Sequence, residues 1–460
     1  MIQVLDKVII SFCVLLGVLI VFVIINFHAY ISSTDSFLLY LGTPAALIGA
    51  ICVAFRIKRE WRHILFVSFL SVVAATYAVE IWLWSISTYK SMPSGYDQRT
   101  QLEVVLQLRA DGKEAFPVIV PRIIANTAPG GVLSKESVPL LPLGGVAGVS
   151  KVHCNESGAW RIYSTDAHGF ANPPEAWYGE KADIVVVGDS FAHGACVPES
   201  TEFAALIRDR FSRTINLGAG GNGPLSELAS IREYASERKP RVVLWFFYDN
   251  DLKQDLFVEV EHPILARYLD PEYIQGLATH RSVVQSKLKH FLESRIDESQ
   301  RAVTPKTQKS NGSLWNFLLV DSSSYALNLV PWISLREIRK RLGLIYGGNE
   351  WRPPDVQTFR RVLELANHEI EGWGGRLVFV ILPSWESVIA PNRAKEVYIE
   401  AARATSESLG LPVIDLKPSF DNHPDPRSLW PNRLPGHYNE AGHALVAKTV
   451  LNALKDAGLP

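Results

Sequence analysis

The chain has 460 residues, 47% of them hydrophobic, with 46 Lys and Arg against 47 Asp and Glu. A net charge of -1 provides no global field to recruit nucleic acid, and 460 residues leave room for more than one domain. The apolar excess is concentrated at the front, so an ordinary single soluble domain is not expected.

Residues 8–27 and 36–55 contain no charged side chain, and a third apolar run over 64–86 is interrupted only by Glu80. Each is near the ~20 residues that a helix needs to cross a bilayer. Three transmembrane helices are therefore expected in a membrane domain over 1–87. The first run is too long, and too quickly followed by two more, for a cleaved leader. Arg56, Lys58, Arg59 and Arg62 crowd the second loop, whereas the 28–35 loop has no Lys or Arg. By the positive-inside rule the second loop and the N-terminus are cytoplasmic, and everything from about residue 88 lies outside. Tyr77, Trp82 and Trp84 suit an outer aromatic belt, and Glu80 is expected to reach interfacial water. The expected location is a bacterial cytoplasmic (inner) membrane, multi-pass, with a periplasmic C-terminal domain and the lipid bilayer as one partner.

Cys13 and Cys52 fall in the expected spans and read as small apolar fillers. Cys154 and Cys196 remain for the large domain. In an oxidising compartment they would form a disulfide tying the approach segment to the loop after residue 190.

Residues 88–180 carry Pro117, Pro121, Pro129, Pro139, Pro142, Pro173 and Pro174 among many glycines. They read as an irregular apron with a few strands, packed on the following domain. From residue 181 strands and helices alternate. Strands are expected over 184–187, 214–217, 242–247, 377–382 and 412–414. Helices are expected from about 200 to 211, 225–235, 356–370 and 394–409, and from Asn439, a good N-cap, toward the C-terminus. A mostly helical insertion over 253–352 breaks the alternation, with a mobile polar loop around 302–312. Such alternation implies an α/β fold, a doubly wound parallel sheet covered on both faces.

In such a sheet the loops after successive strands gather at one edge. The first loop begins Gly188-Asp189-Ser190, and the second runs from Asn216 through Gly218, Gly220, Gly221 and Gly223. The third holds Asp249-Asn250-Asp251, and a late one holds Gly436-His437-Tyr438-Asn439. These are the parts acyl transfer needs. A hydroxyl requires a base to become nucleophilic, and a tetrahedral intermediate requires aimed donors. Ser190 is the candidate nucleophile, His437 the base, and the Gly221 N–H with the Asn250 amide the oxyanion donors.

The order Gly-Asp-Ser, glycine-rich loop, Asn-Asp and C-terminal His resembles the SGNH (GDSL-type) hydrolase superfamily over 184–251 and 376–457. More narrowly, Cys154-Asn155-Glu156, Asp166-Ala167-His168-Gly169-Phe170 and Gly188-Asp189-Ser190-Phe191-Ala192-His193-Gly194 look like membrane-anchored bacterial SGNH-domain proteins associated with cell-surface polysaccharides. The resemblance implies an SGNH/flavodoxin-like hydrolase domain over 181–460 and a seryl-acyl intermediate. It also implies an esterase or O-acyltransferase acting on a carbohydrate ester, with acetyl the expected acyl group. One departure stands out. The family places an Asp two or three residues before the histidine, where this chain has Pro435 and Leu434. Asp421 and Asp425 are the nearby candidates for the acid; otherwise a Ser–His dyad operates. The missing acid also leaves open a non-catalytic carbohydrate-binding or assembly protein that keeps the fold.

Other signals weigh less. Residues 218–223 spell G-x-G-x-x-G, but no acid stands at the next strand's end about 20 residues on, so no nucleotide cofactor is expected. His193 and His443 lack the partners of a metal site and read as a pocket wall and a first-turn helix residue. No cofactor or metal is expected. Trp245, Phe246 and Phe247 read as sheet core, with Trp315 or Trp332 as the more plausible sugar-binding aromatics if any exist.

Overall fold

A computed structural model describes residues 95–121, 140–303, 353–389 and 393–459, parts of 10–24 and 41–88, and residues 335 and 338. It divides into two compact units, Met1–Ser91 with Ser310–Gly347, and Met92–Lys309 with Gly348–Pro460.

The larger unit is built on five parallel strands. These are β4 (Ile184–Gly188), β5 (Thr214–Asn216), β6 (Val242–Phe247), β7 (Arg376–Ile381) and β8 (Val413–Asp415), in the order β5-β4-β6-β7-β8. The expected doubly wound sheet is present, and every expected strand is found within two residues at either end. Side chains alternate across the pleat. Val185, Val187, Val243, Trp245 and Phe247 enter one core, with Leu225, Leu228, Phe359, Val362 and Leu363 from the helices Pro224–Ser230 and Val356–Gly372. Ile184, Val186, Leu244 and Phe246 enter the other, with Phe203, Ile207, Val446 and Val450 from Phe203–Arg208 and Glu440–Asp456. All six β6 side chains are buried, which explains a strand without polar alternation and confirms Trp245, Phe246 and Phe247 as core.

The Asn439 side chain accepts the Gly442 N–H at 3.1 Å and starts the last helix as expected. His443, in the first turn of that helix, is fully buried and accepts the Phe203 N–H at 3.2 Å. The apron forms a second, three-stranded sheet of β1 (Ala115–Pro117), β2 (Ser150–Val152) and β3 (Ile162–Ser164), with β1 parallel and β3 antiparallel to β2. The sequence reading missed a helix at Gln101–Ala110, opened by a Thr100–Glu103 capping box. Within the expected insertion, Arg281–Val303 is helical and sends Leu288 and Leu292 into the first core. Trp315, Trp332 and most of the 302–312 loop lie outside the described residues.

In the smaller unit the helices Thr43–Ala54 and Arg59–Thr88 overlap two of the expected spans; those over 8–27 and 36–55 fall partly outside the described residues. Among the described residues no helix is long and apolar enough to cross a membrane. Glu80 differs from expectation. Its side chain is buried and accepts the Ile338 N–H at 2.9 Å, so it is not placed to meet interfacial water.

Candidate active site

Ser190 follows β4 at the carboxyl edge of the sheet. Gly188 makes the turn possible, with φ +153°, where a Cβ would stand 2.7 Å from the Ala192 Cβ and 2.9 Å from the Phe246 carbonyl. Asp189 turns inward, where its Oδ1 accepts the Phe191 N–H at 2.9 Å. Burial pushes its carboxyl above the usual range, partly opposed by that hydrogen bond and by His437.

His437 comes from the loop before the last helix, 247 residues along the chain. Its Nε2 lies 2.8 Å from Ser190 Oγ. On its other side stands Glu156. One Glu156 oxygen is 2.8 Å from His437 Nδ1 and the other accepts the His437 backbone N–H at 2.8 Å. A carboxylate on Nδ1 fixes the tautomer with the proton there, leaving Nε2 free to accept from the serine hydroxyl. Gly436 leaves room for this grip, since a Cβ there would fall 2.5 Å from Glu156 Oε2. The expected Cys154–Cys196 disulfide is formed and delivers Glu156 two residues beyond Cys154. Cys196 Sγ is 4.0 Å from His437 Nδ1, but its sulfur is committed to the disulfide, so Glu156, Cys196 and His437 do not offer a thiolate to a metal.

Neither expected acid lies at the histidine. Asp421 pairs one helical turn back with Lys417, and Asp425 is held by both terminal nitrogens of Arg433, at 2.6 and 2.9 Å. Glu156 occupies the place proposed for them. Sequence reasoning passed over it although the Cys154-Asn155-Glu156 stretch and the disulfide together pointed there. With an acid in place, the feature that favoured a non-catalytic reading disappears.

Asn250, after β6, reaches the same rim. Its amide nitrogen donates to Asp255 Oδ2 at 2.7 Å and to Asp189 Oδ2 at 3.2 Å. In the glycine-rich loop, the Gly220 Cβ position lies 3.8 Å from the Ser190 Cβ. Gly221 has φ +74° and faces Val120. His193 is buried beneath this loop, accepting the Gly220 N–H at 3.3 Å, and is the expected pocket wall, of a cavity other than the reaction groove. The groove itself is open, about 340 Å³, and is bordered by Ser190, His437, Asn250, Tyr248, Lys253 and Trp385. Trp385, which the sequence reading did not single out, packs edge-on against Trp430 at 5.2 Å.

Fold and site together define a doubly wound α/β domain with a serine, a histidine and a glutamate in hydrogen-bonded series at the carboxyl edge of the sheet. No family model matches the chain, and no curated protein matches it in sequence. Among solved structures, the chain is similar to a lipase/acylhydrolase from Enterococcus faecalis, at 15% identity over 60% of this chain and 96% of that one, with a TM-score of 0.33. An α/β hydrolase from the metagenome of Lake Arreo, Spain, matches at 15% identity over 60% and 97%, TM-score 0.32. A catalytic mutant of an acetylxylan esterase from Geobacillus stearothermophilus matches at 12% over 60% and 95%, also with a TM-score of 0.32.

Proposed function

We propose that this chain is a membrane-anchored serine esterase or O-acyltransferase of SGNH type. It would act on small acyl groups, acetyl foremost, carried by an extracytoplasmic carbohydrate. The observation that carries the chemistry is the unbroken series Ser190 Oγ–His437 Nε2 and His437 Nδ1–Glu156 Oε1, each link 2.8 Å. Ser190 Oγ attacks the ester carbonyl carbon as its proton passes to His437 Nε2. Glu156 holds the ring and stabilises the imidazolium. The carbonyl oxygen becomes an oxyanion, to which Gly221 N–H and Asn250 donate; Asn250 gives up its longer bond, to Asp189, to do so. Collapse breaks the bond to the alcohol, which leaves with the proton from His437. Water then attacks the seryl ester in hydrolysis, and a second sugar hydroxyl attacks it in transfer.

The substrate class follows from the sequence resemblance, and the open groove is compatible with a polymer. Membrane anchoring is supported by the long uncharged runs over 8–27 and 36–55, by the basic second loop, and by exposed apolar side chains on Arg59–Thr88 such as Val72 and Trp82 (65% and 60% exposed). The disulfide suits an oxidising extracytoplasmic compartment.

The test uses the full chain in detergent with a chromogenic acetyl ester. Wild type should turn over, and Ser190→Ala should lose roughly 10³-fold or more of kcat. Equal, slow release by both would overturn the proposal. A carbohydrate acceptor with mass analysis of the product then separates transfer from hydrolysis.

A further inference from the structure

Against the glycine-rich loop lies a second, partly enclosed cavity with about 20 Å³ for the centre of a water-sized particle, room for one small occupant. Its wall on one side is backbone, at Gly218–Gly220 and at Gly144, Gly145 and Gly169. The apron sheet supplies the other side. Phe116, Lys151 and Tyr163 stand in register across β1, β2 and β3, so the pleat puts all three on one face.

Lys151 is 1% exposed, among the most deeply buried large side chains of the protein. Its ammonium has one hydrogen-bond acceptor, the Pro117 carbonyl at 3.3 Å, and lies 5.4 Å from the centre of the Phe116 ring. No carboxylate among the described residues pairs with it, and two of its three N–H donors have no acceptor among those residues. Buried cations are ordinarily matched by an anion.

Tyr163 adds another donor. Its oxygen is 2.7 Å from His193 Nε2, while His193 Nδ1 receives the Gly220 N–H at 3.3 Å. Burial holds His193 well below its ordinary range and therefore neutral. A neutral ring that accepts at Nδ1 must carry its proton on Nε2 and donate it to Tyr163. The Tyr163 oxygen is thus an acceptor for His193, and its own O–H remains to be used.

We propose that this cavity is a binding site for a small monovalent anion of halide size, held by the Lys151 ammonium and the Tyr163 hydroxyl. The cavity presents donors and a positive charge, and His193 offers it no free lone pair. The site is separate from the Ser190 groove, and its existence does not depend on the esterase reading. Of the titratable groups around it, Tyr163 stays protonated because burial pushes it up, and His193 and His153 stay neutral because burial pushes them down. Arg161, beyond them, is paired with Glu202 at 2.6 Å. Lys151 is left as the group that titrates here, since burial has lowered its pKa to about 7, and at pH 6 it carries the charge that the anion meets.

Thermal unfolding of the full chain in detergent at pH 6, with chloride replacing the bulky gluconate ion at constant ionic strength, provides the test. The expected result is a saturable rise in Tm of about 2 °C or more. Lys151→Met should abolish it, and Tyr163→Phe should shift it to several-fold higher chloride. Wild-type crystals soaked in bromide should show an anomalous peak against Lys151 Nζ, which keeps the test decisive if Lys151→Met does not fold. A Tm indifferent to chloride, an equal rise in a folded Lys151→Met, or bromide absent from the cavity would overturn the proposal. So would bromide that binds only in the crystal, an adventitious ion only.

Discussion

Glu156 grips His437 twice, by the ring and by the main chain, and so sets both its tautomer and its position. Glu156→Gln keeps the shape but offers the wrong group to Nδ1. Steady-state kinetics on an acetyl ester should show kcat lowered by roughly 10²–10⁴, as expected when a triad acid is replaced by its amide. Asp421→Asn and Asp425→Asn should stay within about twofold of wild type, since each carboxylate is occupied by a surface cation and neither reaches the ring. Gly436→Ala tests the same contact from the other side. The added methyl must displace the Glu156 carboxylate, and a shift of ~1 Å is enough to cost on the order of 10²-fold. Of these residues Ser190 and His437 were legible because each stands in a local motif. Glu156 was not, because nothing near His437 in sequence announces it; it arrives through a disulfide from another sheet.

At the level of elements, the strands β4 and β6 were legible because unbroken β-branched and aromatic runs have few other uses. The Gln101–Ala110 helix was overlooked in a proline-rich region although Thr100 and Glu103 spell its capping box. The three-residue strands β1 to β3 are too short for alternation to show. The Cys154–Cys196 disulfide, spanning 42 residues, joins this apron to the reaction edge beside the buried Arg161–Glu202 pair and the Tyr163–His193 contact. In the chain-entropy picture a loop of that length is worth about 4 kcal/mol. Replacing both cysteines by serine should lower the urea midpoint accordingly. It should also lower kcat, measured under conditions where the protein is still folded, because Glu156 would lose its tether. A variant destabilised but fully active would show that the apron holds Glu156 without the bridge.

For the whole molecule, the two cores on opposite faces of one sheet were readable from the strand–helix alternation. The membrane assignment rests on uncharged length and loop charge. Full-length protein in membranes should therefore resist extraction by alkaline carbonate and require detergent; release by carbonate would contradict anchoring. Lys151 adds a pH dependence to the stability of the larger unit. Its pKa is lowered to about 7 in the folded protein, from 10.5 as the ordinary value. Between those values the unfolded chain binds more protons, so this group makes stability rise from pH 7 toward 10.5 and contributes no slope below 7. Urea unfolding of wild type and Lys151→Met across pH 7 to 10 should show that rise in the wild type and a flatter curve in the variant.

The acyl-enzyme itself tests the central claim most directly. Full-length protein is mixed with an activated acetyl ester, quenched in acid within the first turnover, digested and weighed peptide by peptide. An acetyl group on the peptide containing Ser190 is expected, present in wild type and absent from Ser190→Ala. Turnover of the ester with that peptide unmodified at every time point, or acetylation that persists in the variant, would contradict it.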